Sequence, residues 1–452
     1  MVMLAPLVVA AAASRSTAPP KIQTHTCPDG LTVMVVESHA VPLVTVEITA
    51  KNGSMTEPPD YNGLSHLYEH MFFKANKALP NQEAFMARTQ ELGIEYNGST
   101  NTEHVNYYFT TTKDHLADSM QFMHDAVVGP LFDAKELERE RVVVTGEIDR
   151  DEADPQYHLL HAVDERVWWK YPSRKDPLGL RATVLKTTRA QMQTIQHRYY
   201  VPNNSALVVT GDVSAADVFA AADQLYADWP RGDDPFVKFP LVVHPPIRAT
   251  EAVVVEQPVR AIDGELVWHG PSTVGPTVPD TYAADALSAA IAQPSSRFQK
   301  ALVDSGACVS ANLSWYTQMN TGPITASFEA TPEKVDACIT GIRAELAKMT
   351  ADYVTQEDLT RGAHQIEVTV VQERERPSEL AHTLTFWWTS AGLDYYLGYV
   401  DRLFQVTPAD AARFVATYIA KQPFVLGVLV SPAMKRAGLD TKHFQALIAR
   451  AP

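Results

Sequence analysis

Two histidines four residues apart, with a glutamate directly before the second, occupy the stretch His66-Leu67-Tyr68-Glu69-His70. On a helix, side chains four apart lie one above the other, so both imidazoles project from one face. Two imidazoles held in this way grip one divalent ion, with Zn2+ the natural choice, and leave room for a third protein ligand and a water. Glu69 stands close enough to that water to act as its general base. The order is H-x-x-E-H, the inverse of the commoner H-E-x-x-H. With 15 histidines in the chain, the same five residues also fit an amphipathic helix with two half-buried histidines and a surface glutamate. A third ligand from elsewhere separates the two readings.

The best source is the stretch from Asp133 to Arg150. Asp133 with Glu136 three residues on has the form of a helix N-cap and capping box, and Pro155 marks the far end. Within that helix Glu140 and Glu147 are seven residues apart, which is two turns, and so share a face. Glu138 and Glu152 fit a charged, solvated surface. Glu147 follows the apolar run Val142-Val143-Val144 and Gly146, which predicts a less exposed setting for it. A buried lone carboxylate is costly, and a metal is one of the few partners that relieves it.

H-x-x-E-H followed 77 residues later by Glu147, with Glu140 one heptad before it, resembles the pitrilysin/insulinase family of inverted zinc metallopeptidases. The branch it resembles most is that of the mitochondrial processing peptidase and its bacterial relatives. Further landmarks agree: Asp29-Gly30-Leu31-Thr32-Val33, Gly53-Ser54 with Glu57, Gly63-Leu64, Met71-Phe72-Phe73-Lys74, Pro177-Leu178-Gly179, Tyr200 with Pro202-Asn203, and Gly211-Asp212. The resemblance implies that His66, His70 and Glu147 hold one Zn2+ and that Glu69 is the catalytic base. Glu140 is then the carboxylate that orients a ligand or balances charge. It also implies an α+β fold of two homologous α/β sandwich halves, each a sheet flanked by helices, forming a clamshell.

At 452 residues and 46% hydrophobic, the chain can bury more than one core. A formal charge of −15 weighs against nucleic acid as a partner and favours basic or extended peptides. Cys27, Cys308 and Cys338 are far apart and lack C-x-x-C spacing; they are not expected to form a metal cluster, at most one pair could be bridged, and all three read as ordinary thiols. Met1 to Ala13 resembles the apolar core of a signal peptide ending in small residues, although no Lys or Arg precedes it. The expected location is therefore the periplasm, or the cytoplasm if that run is not a signal. No other segment is long and apolar enough to span a bilayer, so the mature chain is expected to be soluble.

Thr188 to Val213 reads as a helix, a Tyr-Pro break and a strand, and Thr407 to Pro432 repeats the layout 219 residues later. A repeat of that length implies two copies of one domain. Strands are expected at 31–36, 43–50 and 253–256, and helices at 83–92, 134–153 and 281–292. The division expected is residues 1–20 as signal peptide or tail, 21–232 as the zinc-bearing domain, 233–250 as a proline-rich linker and 251–452 as a homologous non-catalytic domain. Adding 219 to His66, Glu69 and His70 gives Asp285, Ser288 and Ala289, which cannot rebuild the site.

In the resembled family the half facing the zinc supplies an arginine and a tyrosine that bind the peptide and its developing oxyanion. After Ser296-Arg297-Phe298 those positions fall at Val303 and near Val309, and neither valine can donate. Tyr316 is the one nearby substitute. The expectation is therefore a zinc endopeptidase working as the catalytic subunit of a heterodimer, with a homologous zinc-free partner supplying the pair. The alternative is a non-catalytic scaffold or assembly subunit that keeps the fold. Peptide substrate is expected to add as a strand along Tyr96 to Thr100, through Asn97, Gly98, Ser99 and Thr100. Those residues also fit a polar Asn-Gly turn. His104 reads as a surface histidine in a loop. His158 and His161, three apart on a helix, are not expected to form a second metal site. Trp168-Trp169 and Phe386-Trp387-Trp388 are assigned to packing.

Overall fold

The computed structural model describes residues 19–450. The signal-like run of Met1 to Ala13 lies outside the described residues. Two sheets organise the chain. The first joins β1 (Gln23–Thr26), β2 (Thr32–Glu37), β3 (Leu43–Ala50), β4 (Glu95–Thr100), β5 (Val105–Thr112) and β6 (Ser205–Gly211) in the order β1-β2-β6-β3-β5-β4. The second joins β7 (Glu251–Glu256), β8 (Ile262–His269), β9 (Ser310–Trp315), β10 (Pro323–Ala330) and β11 (Val425–Val430) in the order β7-β11-β8-β10-β9. In each sheet one parallel pair, β2 with β6 and β7 with β11, sits among antiparallel neighbours. The second sheet therefore repeats the first without β1. The fold is α+β with two homologous halves.

The repeat detected at Thr188 and Thr407 is real in detail. Both threonines cap a helix through a capping box, Arg189–Tyr199 and Pro408–Tyr418, and each helix leads into the strand that pairs in parallel. Each half also sends an equivalent helix across to the other. In the first half, α1 (Leu64–Phe72), α2 (Gln82–Glu91), α3 (Leu116–Val128), α4 (Ala134–Glu152) and α5 (Pro155–Val167) follow in order. Of these, α5 leaves its own sheet and packs Leu159, Val163 and Val167 against Val253, Val267, Val425 and Leu429 of the second. In return, the helix Pro377–Ser390 lies on β3, β5 and β6.

That exchange buries both faces of β3. Val44, Val46 and Ile48 face the first core, while Thr45, Glu47 and Thr49 on the opposite face are also buried. Glu47 is fully buried and accepts from Asn106 Nδ2 at 2.7 Å and Thr385 Oγ1 at 2.6 Å, and it pairs with His382 Nδ1 at 2.5 Å. A second seam joins the β4–β5 turn to the β9–β10 turn: Glu103 accepts from the amides of Met319 and Asn320 at 2.6 and 2.7 Å. Lys175 is tied to Gln318 and to the carbonyls of Asn320 and Thr321. Trp168 stacks on His269 at 4.4 Å, and Trp387 stacks on Tyr395 at 5.0 Å, so the tryptophans do pack.

The cysteines depart from expectation. Cys308 and Cys338 are bonded to each other, joining the segment before β9 to the helix Val335–Ala347. Thirty residues separate them in sequence, and no local pattern announces such a contact. Cys27 alone is free, and burial, helped by Asp223 beside it, pushes its thiol up to about 12.

Candidate metal centre

Helix α1 carries the H-x-x-E-H residues, and its start is fixed by backbone geometry. Gly63 adopts a left-handed φ of 89° at the N-cap, and a Cβ on Gly179 would lie 2.2 Å from the Gly63 Cα. Only glycine allows these two backbones to touch. Buried Glu57 then accepts from the amides of Gly63 and Ser65 at 2.8 and 2.6 Å, satisfying donors that the first turn leaves open. Beneath the helix, Tyr68 stacks on Tyr200 at 4.1 Å and Phe72 on Tyr107 at 3.8 Å, with the two phenols of Tyr107 and Tyr200 2.7 Å apart. The outer face with His66, Glu69 and His70 is left turned toward α4.

Helix α4 starts at Asp133, whose carboxylate accepts from the amides of Lys135 and Glu136. The reciprocal half of the expected capping box does not form, because Glu136 pairs with Arg139 instead. Glu147 Oε2 comes to 3.5 Å from His66 Nε2 and 3.4 Å from His70 Nε2. One ligand atom from each of the three lies within 4.8 Å of the others. Glu147 is half-buried; of the neighbours invoked for it Val144 is buried, while Val142 and Val143, at 67% and 46% exposed, do not shelter it. The opposing histidines do. Glu138 and Glu152 are solvated, as their pattern suggested.

Electrostatics at the cluster suit a cation. Burial, then the neighbouring His70, lowers His66 to about 4, so it is a neutral imidazole. Its Nδ1 is buried with no partner. Burial opposes charge on His70, but Glu140, Glu147 and Glu69 outweigh it and raise the ring above its ordinary value. Glu140 Oε2 meets His70 Nδ1 at 3.1 Å, leaving Nε2 to face Glu147. Lys74 lies 2.7 Å from the other oxygen of Glu140. Although burial acts against the charge, these two partners hold Glu140 below its usual range. Two imidazole nitrogens and a carboxylate oxygen, with a carboxylate behind one ring, match the donor types that zinc takes. The residues present fit the ion.

Glu69 sits beside this cluster, raised by burial and partly restrained by the Thr100 hydroxyl, which donates to it at 2.7 Å. Tyr96 to Thr100 lie in β4, an edge strand rather than a turn, paired to β5 alone among the described strands. A Cβ on Gly98 would lie 3.1 Å from Glu69 Cγ. Asn97 is exposed and turns its own oxygen to the Gly98 amide, while Ser99 donates to Asn106 at 2.5 Å. Lys74 and Thr100 are the polar groups whose roles beside the cluster sequence reasoning missed. Lys74 lies just past the C-cap of α1, four residues after His70, and that nearness carried a signal for the first.

Other residues are placed differently. His104 is buried, not a surface histidine: neither ring nitrogen has a partner, and burial, then His382, lowers it to about 3. The β4–β5 turn that carries it is covered by the opposite half. His158 and His161 bond to backbone carbonyls of Glu152 and Tyr157 and do not converge on a common point with a third ligand. Val303 lies in the short helical turn Lys300–Asp304, Val309 is exposed, and Tyr316 is exposed just past β9. In the second half, the place of the cluster is taken by close helix packing. A Cβ on Gly362 would lie 2.9 Å from the Ala290 backbone nitrogen.

Residues 32–177 match the family described as Insulinase (Peptidase family M16), and residues 186–366 match the Peptidase M16 inactive domain. The zinc protease PqqE of Helicobacter pylori is 24% identical over 88% of this chain and 90% of its own. The uncharacterized zinc protease YmxG of Bacillus subtilis is 26% identical over 43% of this chain and 47% of its own. Bovine insulin-degrading enzyme is 26% identical over 47% of this chain. The chain spans about half of YmxG and 22% of insulin-degrading enzyme. Among solved structures, a protease from Helicobacter pylori superposes with a TM-score of 0.81 at 22% identity, covering 91% of this chain and all of that one. The periplasmic protease PqqL from Escherichia coli gives 0.76 at 18% identity, over 95% of this chain and 50% of its own. The chain belongs to the pitrilysin/insulinase family of peptidases.

Proposed function

We propose that this chain is a zinc endopeptidase that hydrolyses extended or unfolded peptide segments. The observation that carries the reading is the convergence of His66 Nε2 and His70 Nε2 on one oxygen of Glu147. Held by those three side chains, Zn2+ supplies Lewis acidity to a water and to a peptide carbonyl. Glu69 takes the proton from the attacking water and returns it to the leaving amine. Its raised affinity for protons, a consequence of burial, suits an acid that must also give the proton back. Glu140 keeps the His70 ring in the tautomer that presents Nε2. The free edge of β4, at Asn97 to Thr100, lies alongside Glu69 and offers backbone donors and acceptors to any extended sequence.

Two finer points belong to the same reading. A disulfide between buried cysteines supports work in an oxidising compartment, as the periplasm is. Valines at 303 and 309 support a heterodimer in which a homologous zinc-free subunit supplies the donors for the oxyanion. Residues 21–232 then act as the zinc-bearing domain, and 251–452 as its non-catalytic counterpart. The test is Glu69→Gln, assayed with and without the homologous subunit. Retained zinc with cleavage reduced by about 100-fold or more supports the reading. Unchanged cleavage, or none in the parent with any partner, defeats it.

A further inference from the structure

A second group of metal-ligand residues lies at the opposite edge of the first sheet from β4. His25 and Cys27 are two apart on one face of β1 and its continuation, and Asp223 reaches them from the helix Ala215–Leu225. His25 Nε2 is 2.8 Å from Asp223 Oδ1, and one ligand atom from each of the three residues lies within 4.8 Å of the other two. The backbone on both sides is fixed. The Cys27 amide donates to the Leu31 carbonyl at 2.9 Å and the Gly30 amide to the Cys27 carbonyl at 2.9 Å, so the thiol leaves from a closed turn.

Independent features around the trio suit a bound cation. The Tyr226 side chain is fully buried and its hydroxyl has no partner, in the electrostatic field of Cys27 and Asp29. Asp29 Oδ2 is likewise buried without a partner, while its other oxygen takes the Leu31 amide. Arg231, the cation that acts on Asp29, donates to the backbone carbonyl of that residue at 3.2 Å and leaves the carboxylate oxygen unanswered. Two carboxylates thus crowd a thiol and an imidazole.

We propose that His25, Cys27 and Asp223 form a structural site for a thiophilic divalent cation, with Zn2+ as the chemical class, separate from the peptidase centre. Nitrogen, sulfur and oxygen donors in one cluster suit a borderline-soft ion, and a fourth position is left to water or to Asp29. Binding expels the Cys27 thiol proton to solvent and leaves a thiolate on the ion, with no redox change. Asp223 is 41% exposed, which gives the ion a way in. Its effect is to tie the first described strand to a helix 198 residues away. A cation that binds the folded chain and not the unfolded one raises stability by mass action.

Cobalt separates this site from the other. The chelator-stripped full chain is titrated with Co2+ and followed in the near ultraviolet, where sulfur-to-cobalt charge transfer absorbs. His66, His70 and Glu147 carry no sulfur, and Cys308 and Cys338 are bonded to each other. The expected result is a charge-transfer band that saturates at one equivalent at this site. It disappears in Cys27→Ser, needs at least tenfold more Co2+ in Asp223→Ala or His25→Ala, and persists in His66→Ala. Zn2+ then raises the melting temperature of His66→Ala but not of the His66→Ala/Asp223→Ala double variant. Absence of the band from the folded parent chain overturns the proposal. So does a band that survives both Asp223→Ala and His25→Ala unchanged. Should Cys27→Ser fail to fold, the half-exposed Asp223 variant decides.

Discussion

The Thr100 hydroxyl donates to the Glu69 carboxylate at 2.7 Å, so the edge strand and the helix that bears the proposed base are pinned together. Replacing Thr100 by valine keeps the branched shape and removes the donor. The expected outcome is a roughly tenfold fall in kcat, the equivalent of one hydrogen bond of about 1.4 kcal/mol, with metal content unchanged. Steady-state kinetics beside metal analysis check this, and an unaltered kcat would show that Glu69 needs no such anchor.

Glu140 touches His70 on the side away from the metal cluster and is itself held by Lys74. Glu140→Gln keeps a hydrogen-bonding side chain but discards the charge. Zinc affinity, measured by competition with a chromogenic chelator, is expected to fall about 10- to 100-fold. Equal affinity in variant and parent would remove Glu140 from the site.

The Cys308–Cys338 bond closes a loop whose ends are 30 residues apart. Loop-closure entropy alone makes such a link worth about 3–4 kcal/mol. Cys308→Ser/Cys338→Ser should therefore unfold at lower denaturant, by an amount equivalent to about 2–4 kcal/mol, without change in zinc content. Coincident unfolding curves would mean that the bond contributes nothing.

Glu47 and His382, 335 residues apart, meet at 2.5 Å in the seam between the halves. Glu47 is fully buried, so removing His382 leaves a carboxylate with two neutral donors, Asn106 and Thr385. A double-mutant cycle of Glu47→Gln with His382→Ala should give a coupling energy of about 1–3 kcal/mol in unfolding experiments. Additive losses would show that the two side chains only sit side by side.

Asp285 occupies the place in the second half that the offset of 219 assigns to His66. Burial raises its carboxyl to about 7, against the Tyr399 hydroxyl that donates to it at 2.8 Å. Because the folded value exceeds the unfolded one, its favourable contribution is complete below about pH 4 and is lost as pH climbs from there through about 7. Asp285→Asn imitates the protonated form, so its advantage in melting temperature over the parent should widen from about pH 5 to about pH 8. A gap that stays constant over that range would refute the assignment.

How much of this was legible before folding depends on sequence distance. His66, Glu69 and His70 declare themselves because a helix turns spacing into geometry, and the capped pair at Thr188 and Thr407 is readable for the same reason. Glu147 is legible through the apolar run before it, although of those valines only Val144 is buried while Val142 and Val143 are exposed. What escaped are contacts made across the halves. Thr45, Glu47 and Thr49 alternate with apolar residues in a manner that fits a half-wet strand, yet a helix more than 300 residues away covers them. His104 was misjudged for that reason, and Cys308 with Cys338 by a similar lack of local signal. Asp223 meeting His25 from 198 residues away, within the first half, likewise lacks a local signal.

Reciprocal lending of α5 and of the helix Pro377–Ser390 means that neither copy of the ancestral unit keeps its own lid. Cutting the gene at the proline-rich junction would strip two sheets at once, each exposing a greasy or polar underside to solvent. Duplication here has ended in mutual dependence: the half that carries His66, His70 and Glu147 is roofed by a helix of its twin, and repays the twin in kind.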